Sequence, residues 1–329
     1  AFLDNTLRGG QPVVVPGESG ARVFHTFTRK HGDMERDYNF FELAPSYWSQ
    51  GNGNFRDVNQ NRRSENFTYA DVGTSNIETF FNLIQLDGNN PLVIQSEKFC
   101  LSTRAIQQLA SQWHLAQTDK WQAKLGTPFS PGQLMDSLVK AYGTPEISQP
   151  WFELIIGLAD KVQDATHGEG YWVDHWIYNL DLLDSYVALF PDQTGTLLFG
   201  QRQYTFYDNE HVVKPRAKKY VLRADGSIRQ LHSVHKDVEK AELIAARSEQ
   251  PRLMRDQHGV GGIYRSTLFE KLVCLLAVKS TLFDPFGLGL EMEAEKPGWC
   301  DALNGLPGLF GSSTHEAYAL QRAIAFVRM

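Results

Sequence analysis

Cysteine is scarce in this sequence. Three occur in 329 residues, Cys100, Cys274 and Cys300, far apart and with no CxxC pair. That spacing argues against a zinc framework or a disulfide scaffold and fits a reducing compartment, so a cytoplasmic location is expected. No apolar run approaches the ~20 residues that a membrane span needs, and no membrane association is expected. Excess positive charge is missing too. A formal net charge of −6 gives no footprint for nucleic acid or an anionic membrane. The basic runs are short: Arg29–Lys30, Arg62–Arg63 and Lys214 to Lys219 (KPRAKK) read as solvated faces or anion contacts. There is no GxGxxG, P-loop, HExxH or GxSxG, which removes dinucleotide, Walker, zincin and nucleophile-elbow chemistry. His232 and His235 are spaced like metal ligands but lack a third, so neither a metal nor an organic cofactor is expected.

Helical periodicity dominates what is present. Ser75 and Glu78 form a capping-box pattern ahead of Ile77, Phe80, Phe81 and Ile84, with Gly88 as the stop. Ser130 and Gln133 form another, with Pro131 at the first helical position and Gly143 as the stop. Stripes over 176–190 and 266–279, and a last helix opened by Ser313 and Glu316, follow the same period; weaker helices are expected at 102–113, 150–164 and 237–248. Strands are predicted at Val13–Val15, Arg22–Phe27, Leu197–Phe206 and Tyr220–Arg229, the last around an Asp225–Gly226 turn. The expectation is one mainly α domain over 1–329, with a small β excursion at about 195–232. A helical toroid with loops gathered at one end fits the pattern; an irregular helical bundle is the alternative. The chain opens at Ala1 without an initiating methionine and stops at Met329, and is expected to be part of something longer.

Three stretches place aromatics among polar side chains. Aromatics make up 12% of the chain, and sugars match such surfaces because they offer apolar C–H faces and polar edges. The first stretch, residues 49–63, sets Arg56, Asp57, Asn59, Gln60 and Asn61 almost without interruption near Tyr47, Trp48 and Phe55. Sugar hydroxyls donate and accept together, which suits that set; a turn with a local salt bridge is the alternative. The second, 168–176, offers Trp172 and Asp174 as substrate contacts, with Asp174 as a helix cap and His175 as a structural imidazole on the alternative reading. The third, EKPGWCDALNG at 295–305, holds Asp301 two residues from Trp299. A carboxyl kept against an aromatic face loses hydration, its pKa rises, and a raised pKa is what a general acid needs near neutral pH.

The pair FRDVNQN (55–61) and GLGLEMEAEKPGWCDALNG (287–305) resembles the cellobiose-phosphorylase family, glycoside hydrolase family 94. In that family an Arg-Asp-x-x-Gln-Asp loop binds the −1 sugar, and a later loop supplies a tryptophan and the general-acid aspartate. Arg56, Asp57 and Gln60 match the first motif, and Asn61 stands where the family has aspartate. Trp299 and Asp301 match the second, with Gly298 and Cys300 in place of the usual aspartate and asparagine. Over most of its length the chain is similar to long bacterial and fungal proteins of cellobiose-phosphorylase-like type, as in RKHGDMERDYN (29–39).

The resemblance implies an (α/α)6 barrel, incomplete in this chain, and inverting cleavage of a β-glucosidic bond in a disaccharide or oligosaccharide, with inorganic phosphate as co-substrate and a homodimer as the assembly. An inverting hydrolase or transglycosylase on β-glucans is the alternative. A hydrolase needs a second carboxylate about 6.5–9.5 Å from the acid, and Glu293, Asp174, Glu169 and Asp33 are the candidates. A non-catalytic saccharide-binding domain is the reading from another class, motivated by Asn61, Gly298 and Cys300.

Overall fold

Side-chain caps set the helix boundaries that the sequence predicts best. Ser130 Oγ accepts from Gln133 N at 3.2 Å, Ser130 N donates to Gln133 Oε1 at 2.9 Å, and Pro131 opens the helix. The helix stops at Gly143, whose φ of 110° favours glycine. Ser313 likewise accepts from Glu316 N at the head of the last helix. Thr267 and Glu270 form a box that the sequence reading does not identify. Replacing Ser130 by alanine is expected to cost about 1 kcal/mol; urea denaturation measures it, and an unchanged midpoint would show the cap to be neutral.

The computed structural model describes residues 10–18, 20–26, 46–112, 118–168, 170–230, 232–284, 286–296, 302, 305–306 and 311–328. These contain eleven α-helices and six sheets of two or three strands, so the fold is helix-rich. Among them no helix is long and apolar enough to cross a membrane. The chain divides into two compact units, one of residues 1–76 and 93–165, the other of 77–92 and 166–329.

The first unit holds β1 (Gln11–Val15), β2 (Arg22–Thr26), β3 (Gly53–Asn54) and α1 (Phe55–Arg62). Helix α2 (Ser75–Asn82) starts there and carries the chain into the second unit. The first unit resumes with β4 (Val93–Ile94), β5 (Lys98–Cys100), α3 (Thr103–Gln112), α4 (Thr118–Leu125), α5 (Pro131–Tyr142), α6 (Pro145–Leu158), β6 (Asp160–Val162) and β7 (Ala165–Thr166). Strands β1 and β2 pair antiparallel with Val13 opposite Phe24. Phe24 is fully buried and meets the rings of Trp48, Phe99 and Phe152 edge-on at 5.9–6.1 Å. Leu134, Leu138, Ile155 and Ile156 complete that core from α5 and α6. Gly157 lets α6 lie against the β1–β2 connection: a Cβ there would run into the Pro16 carbonyl, and one on Gly17 into the Gly157 carbonyl.

The second unit holds α7 (Trp176–Leu189), α8 (Thr194–Phe199), β8 (His211–Val213), β9 (Tyr220–Leu222), β10 (Ile228–Gln230), β11 (Val234–Lys236), α9 (Val238–Ala245), α10 (Leu268–Ser280), β12 (Leu290–Glu291), β13 (Ser312–Ser313) and α11 (Thr314–Val327). Helix α11 packs on α10 and α7, and Arg322 ties it to Asp181 and Asp184 of α7, each contact within 2.9 Å. The apolar side of α10, Leu268, Leu272 and Leu275, also carries two buried lysines. Lys271 donates to the carbonyls of Ile84 (3.1 Å) and Thr205 and lies 3.6 Å from the centre of the Phe206 ring. Burial holds its pKa well below the usual lysine value.

Four boundaries differ from the sequence reading. Residues 55–62 form a helix, where the sequence reading names no helix and offers a turn as the alternative. The predicted strand at Leu197–Phe206 begins inside α8, because the 3-10 turn Pro191–Gln193 runs straight into a helix; only Tyr204 makes a strand-like bridge, to Ser266. The helix expected at 150–164 starts at Pro145 and stops at Leu158, and β6 follows, paired to β5. Helix α2 ends at Asn82 because residues 85–89 close a separate turn, Gln85 N donating to Asn89 O at 2.7 Å.

Candidate functional site

Helix α1 has one packed face and one polar face. At 100° per residue, Phe55, Val58, Asn59 and Arg62 fall within about 100° of arc, and Arg56, Asp57, Gln60 and Asn61 within about 140° on the other side. All four of the first set are buried. Of the second set, Arg56, Gln60 and Asn61 are partly accessible and Asp57 is buried. Arg56 Nε donates to Asp57 Oδ1 at 3.2 Å and Asn54 Nδ2 to Asp57 Oδ2 at 3.3 Å, so the carboxylate is oriented from both sides. The four residues predicted to contact a sugar therefore share one helix face.

The packed face of α1 is held by charge. Arg62 Nη1 lies 3.7 Å from Glu97 Oε1, and Lys161 Nζ of β6 lies 2.6 Å from the same oxygen. Glu97 Oε2 accepts from His25 N at 2.7 Å. Glu65 meets His25 Nε2 at 2.9 Å and Asn76 Nδ2 at 2.7 Å. His25, Arg62, Glu65, Asn76 and Glu97 are all less than a tenth exposed. Burial alone raises a carboxyl pKa, but Lys161 and His25 overcome it at Glu97 and leave it well below the usual range. Glu65 is lowered in the same way, against burial, by His25 and Arg62. Burial lowers Arg62, and its two glutamates counter that. The sequence reading misses this network.

In the second unit, Trp172 is half-buried and stacks on His175 with ring centres 5.8 Å apart. Asp174 and His175 are each 1% exposed. Asp174 contributes its backbone carbonyl to the first turn of α7, accepting from Ile177 N at 3.0 Å, and its carboxylate counters the buried Lys279 ammonium. The N-cap of α7 is His175, and its side chain makes no cap bond. His175 Nδ1 lies 3.3 Å from Asn90 Nδ2, in keeping with a structural imidazole.

Trp299 and Asp301 lie outside the described residues, as do Gly298, Cys300, Glu169 and Asp33. The segment leading to Asp301 is described up to Lys296, and the strands after residue 210 hold it in place. Glu291 accepts from Arg216 at 2.7 Å and from Tyr220 Oη at 3.0 Å. Glu293 takes both Lys219 and Lys296. Ala294 N donates to Gln230 Oε1 at 2.7 Å, and Glu295 holds His232 Nδ1 at 2.6 Å and Val234 N at 3.3 Å. Beyond residue 301, Gly305 N donates to Met292 O at 2.7 Å. His232, placed by sequence at ligand spacing from His235, is thus engaged by Glu295.

This strut borders a cavity of about 450 Å³ within the second unit, lined also by Asp87, Asn89, residues 213–216, Lys219 and the end of α10. Its wall holds five basic and three acidic side chains. Burial, aided by the Arg216 guanidinium, lowers Lys219 to about 8. Of the run 214–219, Lys214, Arg216 and Lys219 line the cavity while Lys218 is exposed, a division that composition does not show.

A comparison with protein-family models returns no match, and neither does a comparison with curated proteins.

Proposed function

We propose that this chain carries the acid-catalytic machinery of an inverting glycoside phosphorylase acting on β-linked glucosides, on an (α/α)6 scaffold. A phosphate oxygen bonds to the anomeric carbon from the face opposite the glycosidic oxygen as the glycosidic C–O bond breaks. Asp301 gives its proton to the departing oxygen and regains one from the entering phosphate through solvent. The products are an α-glucosyl phosphate and the shortened sugar. Arg56, Asp57, Gln60 and Asn61 hydrogen-bond sugar hydroxyls, and Trp299 offers its ring to the apolar sugar face.

The observation that carries this reading is the polar side of α1, where Arg56, Gln60 and Asn61 are partly accessible around a buried, oriented Asp57, on a helix whose other side carries the buried Arg62–Glu97 ion pair. Rigid backing of this kind supports selective recognition of hydroxyls. Phosphate is preferred to water as the nucleophile because it needs no enzymic base, and Glu293, a candidate base for hydrolysis, is engaged by the Lys219 and Lys296 ammonium groups. Anomer-resolved NMR on the full-length protein, with β-linked glucose disaccharides, tests the reading. α-Glucose 1-phosphate is expected to form only when inorganic phosphate is supplied. Phosphate-independent release of an inverted free sugar would replace the reading with a hydrolase, and saccharide binding without turnover would replace it with a binding domain.

A further inference from the structure

We propose that the hairpin β9–β10 is a docking surface for a second copy of this chain, which receives it on the exposed face of its helix α9.

The hairpin is fastened at its base. Tyr220 Oη donates to Glu291 at 3.0 Å, Gln230 Nε2 donates to that hydroxyl at 3.4 Å, and Gln230 Oε1 accepts from Ala294 N at 2.7 Å. Beyond the base, every residue from Val221 to Gly226 is exposed, and so are Ile228 and Arg229. Among the described residues the sheet has these two strands alone, so each keeps one edge without a strand neighbour. Such a short ladder contributes little stability by itself. Leu222 and Ile228 stand directly opposite one another and are 73% and 58% exposed. Side chains alternate along a strand, so Leu222 and Ile228 share one face, and Val221, Arg223 and Arg229 share the other. Three large aliphatic side chains on one protruding element mark a contact surface.

Charge identifies what the surface contacts. From Lys214 to Lys236 the chain holds seven lysines and arginines against one carboxylate, Asp225, in a molecule of formal charge −6. Arg216 and Lys219, at the foot of the hairpin, are paired with Glu291 and Glu293. Asp225 accepts from the Ser227 amide at 2.9 Å and from its hydroxyl at 2.6 Å. Among the described residues, Lys218 and Arg223 have no carboxylate within ion-pair distance. The hairpin therefore fits a surface that is acidic and modestly apolar.

Helix α9 offers that surface. At 100° per residue, Val238, Glu239, Glu242 and Ala245 fall within about 120° of arc, and all four are exposed. Among the described residues neither glutamate has an ion-pair partner. The helix is held from its other side, by the buried Ile244 and by Lys240, which lies 2.7 Å from Asp208. A valine between two arginines thus matches a valine beside two glutamates. Apolar contact supplies the attraction, and the charges select the partner. Hairpin against hairpin would set arginine on arginine, and a phosphate-rich partner would leave Glu239 and Glu242 unmatched. Both surfaces lie in the second unit. Two copies about a two-fold axis can exchange them, hairpin to helix and helix to hairpin.

Assembly is measured without turnover, so this inference and the catalytic reading fail separately. Sedimentation velocity of the full-length protein tests it, at about 0.15 M salt so that screening is moderate. A mass of two copies, with a Kd below about 10 μM, is expected. Arg223→Glu with Arg229→Glu is expected to weaken the assembly at least tenfold, as is Glu239→Lys with Glu242→Lys. The four substitutions together are expected to restore it to within about threefold of wild type. All four positions are exposed, so folding should be little disturbed, which circular dichroism checks. A single-copy mass up to about 100 μM would overturn the proposal and leave the hairpin to another partner. An assembly that the hairpin variant leaves unchanged would overturn it too, by placing the contact elsewhere. Weakening by each pair without recovery in the fourfold variant would break the match of hairpin to α9.

Discussion

Asp301→Asn is expected to reduce turnover of a β-linked disaccharide by about 10²–10⁴-fold, the range typical for loss of a general acid. The amide keeps the size of the carboxyl and has no proton of suitable acidity to give. Substrate contacts remain, so KM should hold while kcat falls. The loss should also depend on the leaving group. A glucoside with a dinitrophenolate leaving group needs no proton, and phosphorolysis of that substrate should largely survive. The pH–rate profile should lose its alkaline limb, which reports deprotonation of the acid. Wild-type kcat on the disaccharide in the variant would end the assignment of Asp301. An equal loss on both substrates would point to misfolding or to a binding role instead. The fastening of residues 291–296 to residues 216–234 makes gross misfolding an unexpected result of this substitution, because none of those bonds involves residue 301.

Glu97→Gln is expected to destabilise the first unit by about 3–5 kcal/mol, the usual cost of removing one member of a buried charge group. The substitution leaves Lys161 and Arg62 without their shared counter-charge, and an amide whose oxygen faces those two cations turns its NH2 toward the His25 N–H, donor against donor. The same residue predicts how stability depends on pH. Glu97 and Glu65 have folded pKa values below their ordinary value of 4.5. The folded state therefore binds protons more weakly than the unfolded state. Their contribution is fully present above the unfolded value, and it is lost as pH falls through the lower folded values. Urea midpoints of the wild type should drop below pH 4.5, and the drop should be smaller in Glu97→Gln. Stability within about 0.5 kcal/mol of wild type at pH 7 would show that the network contributes little.

The difference between what sequence revealed and what it concealed follows from range. The cap at Ser130, the cap at Ser313 and the turn at Asp225–Gly226 each depend on residues within a few positions, and all three form as read. Helix α1 was concealed because hydrophobic periodicity detects apolar faces, and half of its packed face is Asn59 and Arg62. Those two are admitted to the interior only by partners far along the chain, such as Glu97 for Arg62. The network around His25 joins residues 40 and 72 positions apart, which no local pattern encodes. Of the candidate site, the identity of the α1 residues was legible, since Arg, Asp, Asn and Gln so close together are conspicuous in any conformation. Their sharing of one face was not, because it needed the helix. The lysine-lined cavity was half legible: the run 214–219 was conspicuous, whereas Lys279 and Lys296 join it only through the fold.

The order in which the two units are threaded has a consequence for synthesis. Residues 77–92 belong to the second unit, yet they leave the ribosome before the first unit has its final segment, 93–165. Ile77, Phe80, Phe81 and Ile84 are almost wholly buried in the finished protein. The lysine that binds the Ile84 carbonyl is 187 residues downstream. At about 5–20 residues per second, that gap is roughly 10–40 s of translation. For that time four large apolar side chains wait without their permanent neighbours, while residues 93–165 of the other unit are synthesised. A nascent chain paused before residue 271 should accordingly be a strong client for chaperones that hold exposed hydrophobic segments, and release of that dependence should coincide with the arrival of α10.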